Sequence, residues 1–487
     1  MEKPVPYIDI GSINRLTKQI GATELVSGAN APTRARQWVR TEDVLVSMTR
    51  PNLNAVAKVP PDLDGAVAST GFDVLRPLVI APGWIFYRVR SNEFIADVCE
   101  DLQGVVYPAI RPRDVRRHRL PLPPLAEQIR IVDAIESYHT RLDDAMATLE
   151  RVQRNLKRYR ASVLKAAVEG RLVPTEAELA RKEGRAYEPA SVLLERILAE
   201  RRCRWEEAEL AKLKAKGKVP KDVKWKARYV EPTAPDTSEL PELPEGWCWV
   251  RTEQCVMTQV GHAFSSREFI EEGVNLLRGD NIGHGSLRWD ENRRRCIRPE
   301  ALQLHAHLEL KPGDVALAMD RPIISTGLKF AHVQSSDLPA LLVQRVIRLR
   351  PWLHKGYFDA NLQSQRFLEH LGNEARGVGV PHVSEGQIKD FVFPLPPLAE
   401  QVRIAQELER LLSTSESSIR IAQVNAQRVI RLRQSILKWA FEGRLVDQDP
   451  SDEPASVLLE RIQVQRAANQ GKAPRRSRRV TAKITNP

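Results

Sequence analysis

His305 and His307 stand one residue apart and could in principle supply two metal ligands. No third ligand is evident and their setting reads as a loop or helix face, so a structural role is favoured over a metal site. Gly377-Val378-Gly379 is a lone G-x-G of the kind that more often marks a turn than a cofactor loop. Gly217-Lys218 and Gly471-Lys472 lack the earlier glycine that a phosphate-cradling loop requires. Neither an N/D-P-P-Y/F loop for amino-group methylation nor a P-D…(D/E)-x-K nuclease cluster is found. No catalytic or metal-ligating residues are therefore expected, and a chain this long without such a constellation leans toward binding.

Composition narrows the kind of binding. The 487 residues allow two to four domains, and 74 Lys+Arg against 62 Asp+Glu leave a formal charge of +12, which suits a polyanion. The five cysteines are scattered and never spaced C-x2-C, so neither a disulfide framework nor a zinc site is suggested. Without an apolar run long enough to cross a bilayer or a secretory pattern at Met1, the chain is expected in the cytoplasm with no membrane partner.

The elements that must position any binding residues are written twice. Pro121 to Val173 recurs as Pro394 to Val446 at a constant offset of 273 with 22 identities in 53 positions; both copies open PLPPLAEQ and close EGRLV. Leu125, Ile129, Val132, Ile135, Leu142, Met146, Leu149, Leu156 and Val163 recur at steps of three and four or their sums. That period predicts a helix over about 125–168, with Pro123-Pro124 before its first turn and Gly170 as its cap. About 44 residues at ~1.5 Å each make it roughly 65 Å long. The second copy predicts a twin over about 398–441, and the two matching apolar stripes predict that the helices pack together as a coiled coil.

The rest of the chain is arranged around those helices. Residues 1–120 form a first globular domain, with strands expected at Tyr7–Ile10, Asp43–Met48, Leu78–Ala81 and Trp84–Val89. Residues 121–216 form a helical region whose second helix covers about 188–216. Residues 217–245 read as an extended linker, 246–393 as a second globular domain, 394–466 as a second helical region and 467–487 as a basic disordered tail. EDVLVSMTRP at Glu42 and GDVALAMDRP at Gly313 show that the globular domains also share one framework. The fold class is α+β: two β-rich mixed domains separated by two long helices, with a pseudo-two-fold repeat.

Two unlike globular domains, each followed by P-L-P-P-L-A-E-Q and a long helix ending E-G-R-L-V, with L-P-E-G-W (Leu243–Trp247) opening the second, resemble the specificity subunit of type I restriction-modification enzymes. The resemblance covers nearly the whole chain. It implies two target recognition domains, a noncatalytic DNA-reading role and helix ends that dock two modification (methyltransferase) subunits. Those subunits in turn permit two restriction (motor and nuclease) subunits to join. S-adenosylmethionine, Mg2+ and ATP would then belong to the partners, and this chain would carry no cofactor. It implies that the two helices form an antiparallel coiled coil acting as spacer, and hence a pseudo-two-fold matched to half-sites about 34–36 Å apart, an asymmetric bipartite duplex target and helix length acting as a ruler.

Base and phosphate contacts are then expected from polar loop residues that follow the shared strand: Thr49, Arg50 and Asn52 in the first domain, and Asp320, Arg321, Ser325, Thr326 and Lys329 in the second. A second set precedes each long helix: Arg111 and Arg113, and His382 and Ser384. Glu127-Gln128 and Glu400-Gln401, worded alike at both helix starts, are expected to mark equivalent docking surfaces. One departure stands out. Residues 241–273 precede the point that matches Tyr7–Ile13, so the first domain is expected either to begin upstream of Met1 or to lack an opening strand. Two rival readings are a coiled-coil scaffold that binds only proteins and a methyltransferase or nuclease with diverged motifs.

Overall fold

The computed structural model describes residues 4–28, 30–100, 108–215, 217, 220, 222–324, 327–372 and 382–471. The chain divides into two compact units. The first is built from Met1–Arg151 with Ile421–Pro487, the second from Val152–Arg420.

In the first unit, Val44–Ser47 is apolar except for its last residue and buried throughout, as a strand covered on both faces must be. It pairs antiparallel with Val56–Lys58 and Phe72–Leu75. A second sheet runs in the order Glu24–Val26, Val5–Ile8, Val67–Ser69, Ala35–Trp38, with Val5–Ile8 parallel to Val67–Ser69. Ile8, Leu45, Val59 and Phe72 fill the core beneath.

The segments expected as strands at Leu78–Ala81 and Trp84–Val89 are not strands. Pro82 starts a helix, Pro82–Arg88, which buries Trp84, Tyr87 and Arg88 at steps of three and four. A run of large apolar residues suited either structure, and the proline at the first helical position decided it.

In the second unit the same framework recurs with additions. Val274–Leu277 runs parallel to Ala340–Leu342, and Val315–Ala318 lies between Phe330–His332 and Val346–Pro351. Val256–Val260 adds a fourth strand on Val346–Pro351, and Cys248–Arg251 pairs with Val392–Leu395. Among the described residues, the first unit has no counterpart of either added strand.

The two 44-residue helices, Leu125–Val168 and Leu398–Phe441, pair antiparallel within each unit, where the start of one meets the end of the other. Ile131 and Ile135 pack on Ile436, Leu437 and Ala440 in the first unit, as Ile404 and Leu408 pack on Val163, Leu164 and Ala167 in the second. Every residue in one set is 273 positions from its counterpart in the other.

Further helices cover Glu176–Glu183, which the sequence reading did not anticipate, then Ala190–Ala215 and Ala455–Gly471. The last reaches into the segment expected to be disordered; residues 472–487 lie outside the described residues. The linker is not simply extended. Trp225 stacks on Trp205 with ring centroids 6.2 Å apart, and Lys226 pairs with Glu206 at 2.6 Å, so its first part lies along helix Ala190–Ala215.

His139 interrupts the apolar seam of the first unit, where its counterpart 273 positions on is Leu412. The ring is buried against Tyr87, with centroids 5.5 Å apart, and Nε2 has no hydrogen-bond partner. Burial first, then the Arg90 and Arg433 guanidinium groups, hold its pKa down at about 4, while Asp143 opposes them. The unfolded chain takes up this proton near pH ~6.5 and the folded chain does not, so stability is complete above that pH and falls as pH drops toward about 4. His139→Leu is expected to remove about 1–2 kcal/mol of destabilisation between pH ~7 and ~5, read from urea midpoints at the two pH values. A wild-type midpoint that does not move between them would contradict this.

Candidate nucleic-acid interface

Each globular domain turns sharply after its central buried strand. Arg50 and Arg321, at equivalent positions, both adopt left-handed backbone with φ of 49° and 45°, which sends the chain back through Pro51 and Pro322. A second loop closes on each turn. Ile110 N–H donates to the Met48 carbonyl at 2.9 Å in the first domain, and Val383 N–H donates to the Met319 carbonyl at 2.8 Å in the second. Thr49 then forms a bridge with Ala109, as Asp320 does with His382. The two candidate sets of each domain, distant in sequence, therefore form one rim.

The rims share a backbone and differ in chemistry. In the second domain Asp320 accepts from Arg345 Nη1 and pairs with His382 Nδ1, both at 2.7 Å, while Arg345 and His382 remain 62% and 50% exposed. Burial acts to raise the Asp320 pKa, but the hydrogen bonds with Arg345 and His382 outweigh it and hold the carboxyl below its ordinary value. Lys329 N–H closes the loop on the Pro322 carbonyl at 2.7 Å, and burial lowers the pKa of its ammonium. Arg321 and Arg288 act on Lys329 from nearby, as do Asp280 and Asp320. Ser325 and Thr326 lie outside the described residues.

In the first domain Thr49, Arg50 and Asn52 are exposed at the turn, and exposed Arg111 and Arg113 flank Pro112 across from it. Lys18, which the sequence reading missed, donates to Asn54 Oδ1 at 3.1 Å, and burial first, with Arg90 and Arg15, lowers its pKa to about 8. Arg345, Arg288 and Lys18 escaped notice because each comes from an element outside the shared loops. The arginine-rich stretch Arg288–Arg298 was the available signal.

Ser384 has a structural task in the fold. Its hydroxyl accepts from Gln387 N–H at 3.2 Å and caps helix Glu385–Asp390, so its first role is to start that helix.

The four docking candidates do not lie on the surface. Glu127, Gln128, Glu400 and Gln401 are buried, with Gln128, Glu400 and Gln401 at zero exposure. Gln128 accepts from Ala81 N–H at 3.1 Å and donates to the Pro123 carbonyl at 2.8 Å; Gln401 does the same with His354 and Pro396 at 3.0 and 2.9 Å. Glu400 accepts the Trp247 indole N–H at 3.1 Å and the Glu176 backbone N–H at 2.8 Å. Burial raises its pKa, and those donors work against the rise. The recurring wording therefore encodes internal joints between each recognition domain and its helix, not an exposed surface.

Among the described residues no three His, Cys, Asp or Glu side chains gather to hold a metal, and no helix is long and apolar enough to cross a membrane. His305 stacks on His262 with centroids 5.0 Å apart, a packing contact.

Residues 312–426 match the family model of the type I restriction modification DNA specificity domain. The chain is 31% identical to the specificity subunit of the Escherichia coli type I restriction enzyme EcoAI, over 64% of this chain and 49% of that one. It is 29% identical to the MjaVIII specificity subunit of Methanocaldococcus jannaschii, over 43% and 48% respectively, so it spans about half the length of these relatives. It is also 24% identical to the EcoKI specificity subunit of Escherichia coli K12 over 94% of this chain and 88% of that one.

A chain solved in work on complex assembly and conformational transition of the type I R-M system superposes with TM-score 0.60 at 25% identity, covering 91% of this chain and 92% of that one. The HsdS subunit of Thermoanaerobacter tengcongensis shares the fold, with TM-score 0.52 at 24% identity and 91% of each chain covered. The fold holds two globular domains of one framework, and the family match falls on the second of them and the start of the helix that follows. Residues 312–426 carry the type I restriction modification DNA specificity domain, and over most of its length the chain is similar to type I restriction enzyme specificity subunits.

Proposed function

We propose that this chain is the noncatalytic DNA-reading subunit of a type I restriction-modification complex, recognising an asymmetric bipartite duplex target and holding two modification subunits. One observation carries the reading. Equivalent backbone turns present unlike side chains, Thr49 opposite Ala109 in one domain and Asp320 opposite His382 in the other. A common scaffold with different edge chemistry suits two different half-sites, since base edges are distinguished by donor and acceptor pattern while phosphate contacts set only register. The excess of basic residues fits the duplex backbone. S-adenosylmethionine, Mg2+ and ATP belong to the partner subunits in this reading, and the cytoplasm is where the complex works.

The test is binding of the chain, with a modification subunit present, to duplexes that differ in sequence at several salt concentrations. Discrimination among duplexes together with a steep salt dependence is expected. Arg321→Ala should weaken all duplexes about equally and reduce the salt slope by about 1, the mark of a phosphate contact. Binding that ignores sequence would favour a protein scaffold, and methyl transfer by the chain alone would favour an enzyme with diverged motifs.

A further inference from the structure

In the second domain Val274–Leu277 runs parallel to Ala340–Leu342 and antiparallel to Cys296–Ile297, with neighbouring strands about 4.8 Å apart. Arg278 follows the first of these strands, Arg345 follows the second and Arg295 precedes the third, so all three lie at one edge of the sheet. The Arg345 carbonyl accepts from Met319 N–H at 2.9 Å, which joins this row to the loop of Asp320 and Arg321.

The row is held in place by its own loop, residues 278–295. Asn281 is fully buried; its Oδ1 accepts from Arg278 N–H at 3.0 Å and its Nδ2 donates to the Arg288 carbonyl at 3.0 Å. Gly285 N–H donates to the Phe330 carbonyl at 2.8 Å, and His284 Nδ1 lies 3.0 Å from the Leu328 carbonyl, which sets the loop beside Lys329. Arg288 is exposed and its guanidinium lies over Gly283, where a Cβ would meet Nε at 3.2 Å. Arg278 pairs with Asp280 at 3.0 Å, and Arg295 donates to the Glu291 and Arg294 carbonyls at 3.5 and 2.6 Å.

The first domain repeats this backbone without the four arginines. Ser12 Oγ accepts from Asp9 N–H at 3.3 Å, as Asn281 does from Arg278. The Ser12 carbonyl accepts from Gly21 N–H as the Asn281 carbonyl does from Arg288, both at 2.8 Å. The Gly71 carbonyl accepts from Met48 N–H as that of Arg345 does from Met319, both at 2.9 Å. Glu24 opposes Tyr7 where the Arg295 carbonyl accepts from Leu276 N–H at 2.8 Å. Two acids and two glycines therefore occupy the positions of Arg278, Arg295, Arg288 and Arg345. A Cβ on Gly71 would meet Ile10 Cδ1 at 2.8 Å, so an apolar side chain fills that part of the edge. The cations of the first domain sit on its other loop, where Arg111 and Arg113 match Ser384 and Gly386.

We propose that Arg278, Arg288 and Arg295 form a phosphate clamp of the second domain, gripping the DNA backbone outward from the reading pair Arg345 and His382, and that the first domain has no clamp on this edge. The proposal rests on the DNA-reading function. A guanidinium fixed by carbonyls or a carboxylate keeps donors in a planar fork that matches phosphate oxygens. A row laid across successive strand ends follows an extended backbone, and it supplies register and affinity while the adjoining loops supply sequence.

The full chain assembled with a modification subunit is titrated with duplexes altered in one half at a time, at several salt concentrations. Arg288→Ala with Arg295→Ala should lower the slope of log affinity against log salt by about 2, roughly 0.9 per lost phosphate contact, and leave the ranking of duplexes unchanged. Arg288→Lys with Arg295→Lys should keep most of the slope, because charge is retained. A selective complex whose slope is the same in the alanine variant would overturn the clamp alone. A wild-type complex that does not discriminate among duplexes would overturn DNA reading and the clamp with it. An altered ranking of duplexes in the alanine variant would make these arginines base readers, a slope that lysine fails to restore would make them structural, and loss of the modification subunit at unchanged slope would make them a protein contact; each of these results would overturn the proposal.

Discussion

Arg345→Ala, alone or with His382→Ala, is expected to cost about 1–3 kcal/mol, roughly 5- to 150-fold, in preference for one half of the target while leaving the other half untouched. Asp320 orients both side chains from below, and each presents an exposed polar face at the rim of the second domain. A fixed donor pair of this kind discriminates among base edges, whereas a swinging lysine mostly follows phosphate charge. Competition between duplexes altered in one half at a time reads the effect. Equal weakening on every duplex would make these residues phosphate contacts, and loss in both halves would point to a folding defect. Asp320→Asn should act in the same direction and less strongly, because an amide still accepts from Arg345 but no longer carries the charge that strengthens the bond to its guanidinium.

Glu400→Ala is expected to be the most destabilising single change at the helix joints, by about 2–4 kcal/mol. It leaves two buried donors, the Trp247 indole N–H and the Glu176 backbone N–H, without acceptors, at about 1–3 kcal/mol each. Glu127→Ala, at the same place in the repeat, should cost less than about 1 kcal/mol, since the indole beside it, Trp84, donates to the Pro121 carbonyl instead. Urea midpoints of the two variants compare the joints directly. Equal losses would mean that Glu127 has a structural task of the same size.

What could be read from sequence follows from where the physics is local. The long helices were legible because a stripe at steps of three and four, Ile131 and Ile135 in one copy and Ile404 and Leu408 in the other, is dictated by helix geometry alone. The common framework was legible because two copies of one strand and turn preserve the burial of Val44–Ser47 and Val315–Ala318. Helix Pro82–Arg88 was not legible from its aromatic run, which suits a strand by composition; the proline that starts it favours a helix and the packing of Trp84 and Tyr87 against the long helices holds it there. Glu127-Gln128 and Glu400-Gln401 were misread for another reason. Identical wording marks a shared constraint without saying whether the constraint faces inward or outward, and the zero exposure of Gln128 and Gln401 shows that it faces inward. The rim was only half legible. Its loops follow conspicuous prolines, but Arg345 and Lys18 reach it from other strands and turns, and no spacing rule links them to Asp320 or Asn54.

The central claim is that two similar scaffolds read two different half-sites. Its most direct test is selection from a randomised duplex library by the chain assembled with modification subunits, followed by sequencing of the bound fraction. The account predicts two defined, unlike half-sites separated by a fixed run of unselected bases, with Arg345→Ala relaxing only one of them. A continuous site, a palindrome or no selected sequence would contradict it.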